Sequence, residues 1–165
     1  MQLHKWEGHR DDAMLIMANL PSDRLIYMTN DNEAVLLQES YGGTTLPVAS
    51  AYEILNSVGD INNGYFAVFN NIPVSEEKKD LFESRFSNRA GLVEKEPGFA
   101  AIRVMRPLNS DTYVILTLWE DEKAFKNWQE SEAYNNAHAK RGTEKGIDKQ
   151  ANVFPRPSFV KTYEK

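Results

Sequence analysis

The sequence contains no cysteine. That excludes disulfides, cysteine-ligated zinc, iron–sulfur clusters and thiol catalysis, and a reducing cytoplasm is the natural compartment. Long hydrophobic runs are also missing. The longest early one, AMLIMANL at 13–20, falls far short of the roughly 20 apolar residues that span a bilayer. It also lacks the basic lead-in and small-residue cleavage site of a signal peptide, so the chain reads as cytoplasmic with no membrane partner. Positive charge is outnumbered, with 19 Lys and Arg against 24 Asp and Glu and a formal net charge of −5. A general nucleic-acid binder needs a basic stripe instead. There is no phosphate loop, nucleotide fingerprint, G-x-S-x-G elbow or HExxH motif, and the carboxylates are scattered without a convincing dyad. No flavin or nicotinamide site is visible. Histidine and tryptophan are scarce, at three each, so the placing of each one carries information.

What is present suits one compact domain, or one domain plus a smaller half: 165 residues, 41% hydrophobic and 26% charged. No low-complexity tract and no alignable repeat is visible. Residues 11–17 and 24–38 read as strand-rich, with RLIYMTN and EAVLLQES split by the turn signal NDNE. Ser50 and Glu53 have capping-box spacing, which predicts a helix over AYEILNSVG ended by Gly59. GDINNG (59–64) is a plausible junction between a β-rich N-terminal subdomain with one helix (1–60) and a second domain (64–165).

The second domain is more regular. YFAVFNNIPV predicts a strand, and Ser75 a helix start running to about Val93, with Phe82, Phe86, Ala90 and Val93 at helical spacing. EPGF ends it. FAAIRVMRP and DTYVILTLWE predict two strands joined by LNSD, the second apolar on both faces as a central strand requires. Asp121 predicts a helix cap, with the helix running through Trp128. Ser131 predicts a cap for a further helical piece through His138. FVKTYEK predicts the last strand. The order β-α-β-β-α-β is an α+β, ferredoxin-like domain. Its helices cover one sheet face, and the N-terminal half is the candidate cover for the other.

Three groups of residues invite a chemical reading. Trp128 and His138 bracket the stretch WQESEAYNNAH. On one straight helix they sit about 80° out of phase and about 15 Å apart, which favours ordinary packing; a break at Ser131, a good cap and a poor helix interior, lets them approach one cavity. Asn70 and Asn71 end the strand YFAVF, either as plain strand termination or as buried amide donors aimed at a ligand. Arg85 and Arg89 are i,i+4 neighbours flanking Phe86, either a solvated edge or a pair of cations for a ligand's carboxylates. His4 and His9, in the polar start LHKWEGHRDD, read as surface residues.

FNN at the end of that strand, RFSNRAG on the following helix and TLWEDEKAFKNWQESEAYNNAH together resemble one family: the IsdG-type heme-degrading monooxygenases of the antibiotic-biosynthesis-monooxygenase fold. The resemblance covers 64–165. The added N-terminal half makes the chain similar to the longer HmoB-like members, with a more distant likeness to the signalling protein TRAP. The resemblance implies heme as both substrate and cofactor, and an Asn, Trp, His trio falling on Asn70, Trp128 and His138. His138 is then the axial iron ligand, Asn70 a donor on the oxygen side, and Trp128 the ring that ruffles the porphyrin. Arg85, Phe86 and Arg89 match the family's heme-contacting helix. Electrons come from an external donor or reductase, and the products are a bilin and iron. Small members pair two sheets into a dimeric barrel; here the N-terminal half takes the second protomer's place, which implies a monomer with one heme site. A non-catalytic heme-binding or signalling protein of the TRAP type, and a cofactor-independent aromatic monooxygenase, are the alternatives.

Overall fold

The computed structural model describes residues 1–20, 25–87, 93–131 and 154–165. Eight strands close into one antiparallel barrel: β1 (Gln2–Gly8), β2 (Ile26–Thr29), β3 (Ala34–Ser40), β4 (Ser50–Gly59), β5 (Phe66–Pro73), β6 (Phe99–Pro107), β7 (Thr112–Trp119) and β8 (Phe159–Glu164). Among the described residues three α-helices lie outside it, α1 (Arg10–Ala18), α2 (Lys79–Ser87) and α3 (Glu122–Gln129). Around the barrel the order is β1-β3-β2-β8-β5-β7-β6-β4. The second half is the expected ferredoxin-like unit, with β7 at the centre of its sheet between β5 and β6.

That order contains a repeat invisible at the level of residue identity. The C-terminal sheet runs β8-β5-β7-β6 and the N-terminal sheet β4-β1-β3-β2, so in each half the fourth strand flanks the first, then the third, then the second. The N-terminal half has α1 after its first strand, as the C-terminal half has α2, and a loop where the other has α3. Strand parity matches too. His4 precedes the α1 N-cap His9 by five residues, as Asn70 precedes Ser75 at the N-cap of the next helical turn. The two seams between halves differ: β4 pairs with β6 from Tyr52↔Pro107 to Gly59↔Ala101, while β2 meets β8 at Thr29↔Glu164 alone.

The barrel interior is filled by side chains of both halves, among them Leu3, Val35, Leu37, Phe69, Met105, Leu116 and Tyr163, all at most 2% exposed. Phe69 and Tyr163 meet edge-on, centroids 5.4 Å apart. Charges also point inward, and they link one half to the other. Arg103 donates from Nε to Glu39 Oε1 at 2.8 Å and from its terminal nitrogens to the carbonyls of Val58, Gly59 and Ile102. Lys161 bonds Glu7 at 2.7 Å and Glu33 at 3.0 Å, and Tyr163 donates to Glu33. Lys5 pairs with Glu7 as well. Burial raises the Glu7 carboxyl, but Lys5 and Lys161 outweigh it and hold the group below the usual carboxylate range.

Several sequence expectations are corrected here. Residues 11–17 form helix α1, not a strand. Ala13, Ile16, Met17 and Leu20 face the sheet at helical spacing, and His9 Nδ1 accepts from the Asp11 amide at the N-terminus. The helix expected after Ser50 is strand β4: paired with β1 on one side and β6 on the other, it turns Tyr52 and Ile54 inward, and two-sided pairing overrides the capping-box signal. Gly59 accordingly ends a strand, at φ +77°, where a Cβ would lie 2.1 Å from the Ala100 carbonyl. The helix expected from Ser75 to Val93 is a 3-10 turn (Glu76–Lys78) followed by α2 to Ser87, and Ser75 makes no side-chain cap bond. Residues 88–92, with Ala90 and Arg89, lie outside the described residues. β5 runs through Asn70 and Asn71 to Pro73 rather than ending at them.

His4 is the remaining correction. It is 4% exposed, not a surface residue, and both ring nitrogens are buried without a hydrogen-bond partner among the described residues. It stands on the outer face of the N-terminal sheet between Gln38 and Ala51. Burial pushes its pKa down. The unfolded imidazole takes up its proton as the pH falls through its ordinary value of 6.5, whereas the folded one does so only at lower pH. Stability present above 6.5 is therefore lost as the pH falls below it. Urea titrations at about pH 7.5 and about pH 5.5 are expected to give a smaller acid loss for His4→Leu than for the parent chain. Equal losses would contradict this.

Candidate functional site

The site is built on the outer face of the C-terminal sheet. In β5, Ala67 and Phe69 point into the barrel, so Phe66, Val68, Asn70 and Ile72 point out, by the two-residue period of a strand. Asn71 is the inward member of the asparagine pair. It is 4% exposed, and its amide donates to the Phe69 carbonyl at 3.2 Å. Asn70 is half-buried, and among the described residues its side-chain amide has no hydrogen-bond partner. Its cross-strand neighbours are Ile115 on β7 and Val160 on β8.

Two aromatic clusters bracket it. On the Val68 side, α3 packs Ala124, Phe125 and Trp128 over Phe66, Val68, Ile102 and Trp119. Asp121 starts that helix, its Oδ1 accepting from the Ala124 amide at 2.8 Å. Gly98, at φ +82°, lets the helix come close: a Cβ there would stand 2.5 Å from the Ala124 Cβ. On the Ile72 side, α2 packs Phe82 over Ile72, Val74 and Tyr113, with Phe86 beside it, ring centroids 4.8 Å apart. Ile115 touches both clusters. Asn70 and Ile115 thus form a floor with Trp128 at one end and Phe86 at the other.

Helix α2 is fixed by a polar anchor that the sequence did not reveal. Glu83 receives two bonds from Arg106, at 2.9 and 2.5 Å, and a third from the Tyr113 hydroxyl. The Arg106 bonds hold the Glu83 carboxyl below its ordinary range, while burial and then Glu83 push the Tyr113 hydroxyl up. Arg85, two residues on, is exposed and makes no hydrogen bond or ion pair among the described residues. No sequence signal joined positions so far apart as 83, 106 and 113.

Of the residues singled out in the sequence, Trp128 packs in one cluster and Phe86 in the other, both of which Ile115 touches; Asn70 is the cross-strand neighbour of Ile115, and Arg85 lies on the helix that carries Phe86. Arg89 and His138 lie outside the described residues. Helix α3 ends at Gln129, and the Ser131 hydroxyl donates back to the Trp128 carbonyl at 2.6 Å. It serves the end of α3; the helical piece expected after it falls outside the described residues. In the N-terminal half the position matching Asn70 holds His4, and the adjoining outer face is occupied by Trp6, Leu36, Leu46 and Ala49.

A closed barrel of two ferredoxin-like halves, with half-buried aromatics and an amide unpartnered among the described residues on one outer face, defines an α+β barrel protein with a candidate ligand site in its C-terminal half. Residues 65–140 match the antibiotic biosynthesis monooxygenase family. It is 23% identical over 147 residues to a heme-degrading monooxygenase of Listeria monocytogenes, covering 87% of each chain. It is 27% identical over 127 residues to the signal transduction protein TRAP of Staphylococcus aureus, covering 76% of this chain and 75% of that one. Among solved structures, a major regulator of staphylococcal pathogenesis superposes with a TM-score of 0.84 at 22% identity, covering 99% of this chain and 98% of that one. The heme-degrading enzyme LmHde of Listeria monocytogenes does so at 0.68 and 22%, covering 99% of both. At these identities the structures speak for the fold. No helix among the described residues is long and apolar enough to cross a membrane.

Proposed function

We propose that this chain is a heme-degrading monooxygenase, which takes heme as cofactor and substrate and yields a bilin and iron, using dioxygen and electrons from an external donor. The observation that carries the reading is Asn70. Its half-buried amide has no side-chain partner among the described residues and stands cross-strand from Ile115, so it is open to a ligand's acceptor, and a flat apolar ligand over this face would have Trp128 towards one end and Phe86 towards the other. Heme fits these residues: an apolar macrocycle for the floor and rings, carboxylates for the Arg85 guanidinium, which is exposed and has no ion pair among the described residues, and a metal for an imidazole.

Arg85 and Arg89 would pair with the propionates as forked donors, and Phe86 would lie against the ring edge. His138 would hold the iron through a neutral imidazole nitrogen. Asn70 would donate its amide N–H to the bound group, and Trp128 would press on the face of the porphyrin. Bound heme supplies the redox and oxygen chemistry. The barrel closes within one chain, and apolar side chains occupy the matching face of the N-terminal half, which supports one site per monomer. The likeness to TRAP favours a second reading in which the same site binds heme without turnover.

Titration with hemin, with light scattering on the same samples, tests the binding step. One heme per single chain is expected, with His138→Ala losing the axial-ligand signature of the Soret band. No Soret change on adding hemin to the parent chain sinks both heme readings.

A further inference from the structure

Trp128 does not choose its own ring plane. Its indole lies against Trp119, centroids 5.5 Å apart with planes 31° apart, and against Phe125 at 6.1 Å and 41°. Trp119 is fully buried at the end of β7. Phe99 meets it edge-on at 5.9 Å and 89°, and Phe125 lies tilted against it at 5.9 Å and 57°. Its one polar atom is also fixed: Nε1 donates to the Thr117 hydroxyl at 3.0 Å. Thr117 is 8% exposed and lies between Val68 and Ile102, on the outer face that carries the site. A buried indole N–H needs an acceptor, and here a hydroxyl on the neighbouring same-face residue provides it.

We propose that Thr117 and Trp119 are positioning residues: the Thr117 hydroxyl fixes the plane of Trp119, and Trp119 is the backstop that sets the plane and height of Trp128 above the substrate. This rests on the heme reading for its consequence, since a ring that bends a porphyrin must itself resist displacement. An indole free to recede lets the macrocycle flatten. A rigid aromatic wall behind it, locked at one hydrogen bond, keeps the load on the substrate. The functional role therefore reaches one shell behind the trio, to two residues of β7 that contact no ligand.

The test separates the positioning claim from the heme claim by using a readout that needs no heme. Two indoles this close give an exciton couplet in the far-ultraviolet circular dichroism of the unliganded protein. Thr117→Val keeps shape and volume but removes the acceptor, and is expected to weaken the couplet. Thr117→Ser, which restores the hydroxyl, is expected to return it. With hemin bound, Thr117→Val and Trp119→Phe are expected to lower the out-of-plane Raman modes of the porphyrin while stoichiometry stays at the parent value, with turnover slowed on the order of ten-fold by the lost alignment. A Thr117→Val protein with the parent couplet overturns the proposal, whether or not hemin binds. A weakened couplet with undiminished out-of-plane modes overturns the link to substrate bending. If the parent chain binds no hemin, the heme reading fails on its own, and the couplet still decides whether Thr117 sets the indole pair.

Discussion

Asn70→Ala is expected to keep hemin binding within a few-fold of the parent while slowing heme loss on the order of 100-fold, the scale on which removal of one preorganised donor acts. The asymmetry follows from where the residue sits. On the proposed reading a flat apolar ligand would rest against Trp128, Phe86 and Ile115, which the substitution leaves alone. The amide contributes a directed N–H, and that matters in the reaction more than in binding. The substitution is also structurally mild. Asn70 is only half-buried and its side chain bonds nothing among the described residues, so no described hydrogen bond is lost. Its neighbour is the control: Asn71→Ala, on the inward face, removes the bond to the Phe69 carbonyl and is expected to lower stability with turnover per bound heme unchanged. Rates measured per bound heme for the two variants check the assignment; a slow Asn71→Ala beside a normal Asn70→Ala would reverse it.

Arg103→Met is expected to lower the unfolding free energy by about 3–5 kcal/mol, the loss seen when one partner of a buried ion pair is removed. Arg103 is 6% exposed and reaches across the barrel from β6 to Glu39 on β3, while also serving three backbone carbonyls. Without it Glu39 keeps its charge without its cation, and the seam between β4 and β6 loses the donor that gathers the Val58 and Gly59 carbonyls. The companion Glu39→Met in the Arg103→Met background is expected to recover part of the loss, because two apolar side chains remove the stranded charge. The carbonyl bonds are not recovered. Chemical denaturation of the four-protein cycle measures the coupling. An additive cycle would mean that the ion pair does not tie the halves together.

The C-terminal half was legible because its signals are local. Alternation in FAAIRVMRP and TYVILTLWE, the turn between them and the Asp121 cap each act within a few residues, and β6, β7 and α3 lie where those signals put them. The errors fall where partners distant in the chain decide. AYEILNSVG carries a helix-start spacing, yet β1 and β6 claim both of its edges. His4 looks polar and terminal, yet β3 and β4 flank it and bury it. The inward charges could not be read at all, since Glu39 finds Arg103 and Glu33 finds Lys161 only once the barrel closes. The outward placing of Asn70 beside Ile115 follows from strand parity, and was within reach of the sequence. Thr117 and Trp119 were not singled out, because a Thr and a Trp in a central strand look like ordinary core. The one clue was their i,i+2 spacing, which puts both on the same face.

Turnover in air tests the central claim most directly. The purified chain is loaded with one equivalent of hemin, and a reductant is added with catalase present to remove free peroxide. The visible spectrum is followed alongside a ferrous-iron chelator. The account predicts steady bleaching of the Soret band with matching release of iron and a bilin absorption in its place. A Soret band that persists through reduction, with no iron released, would contradict it and leave the chain a heme binder without turnover.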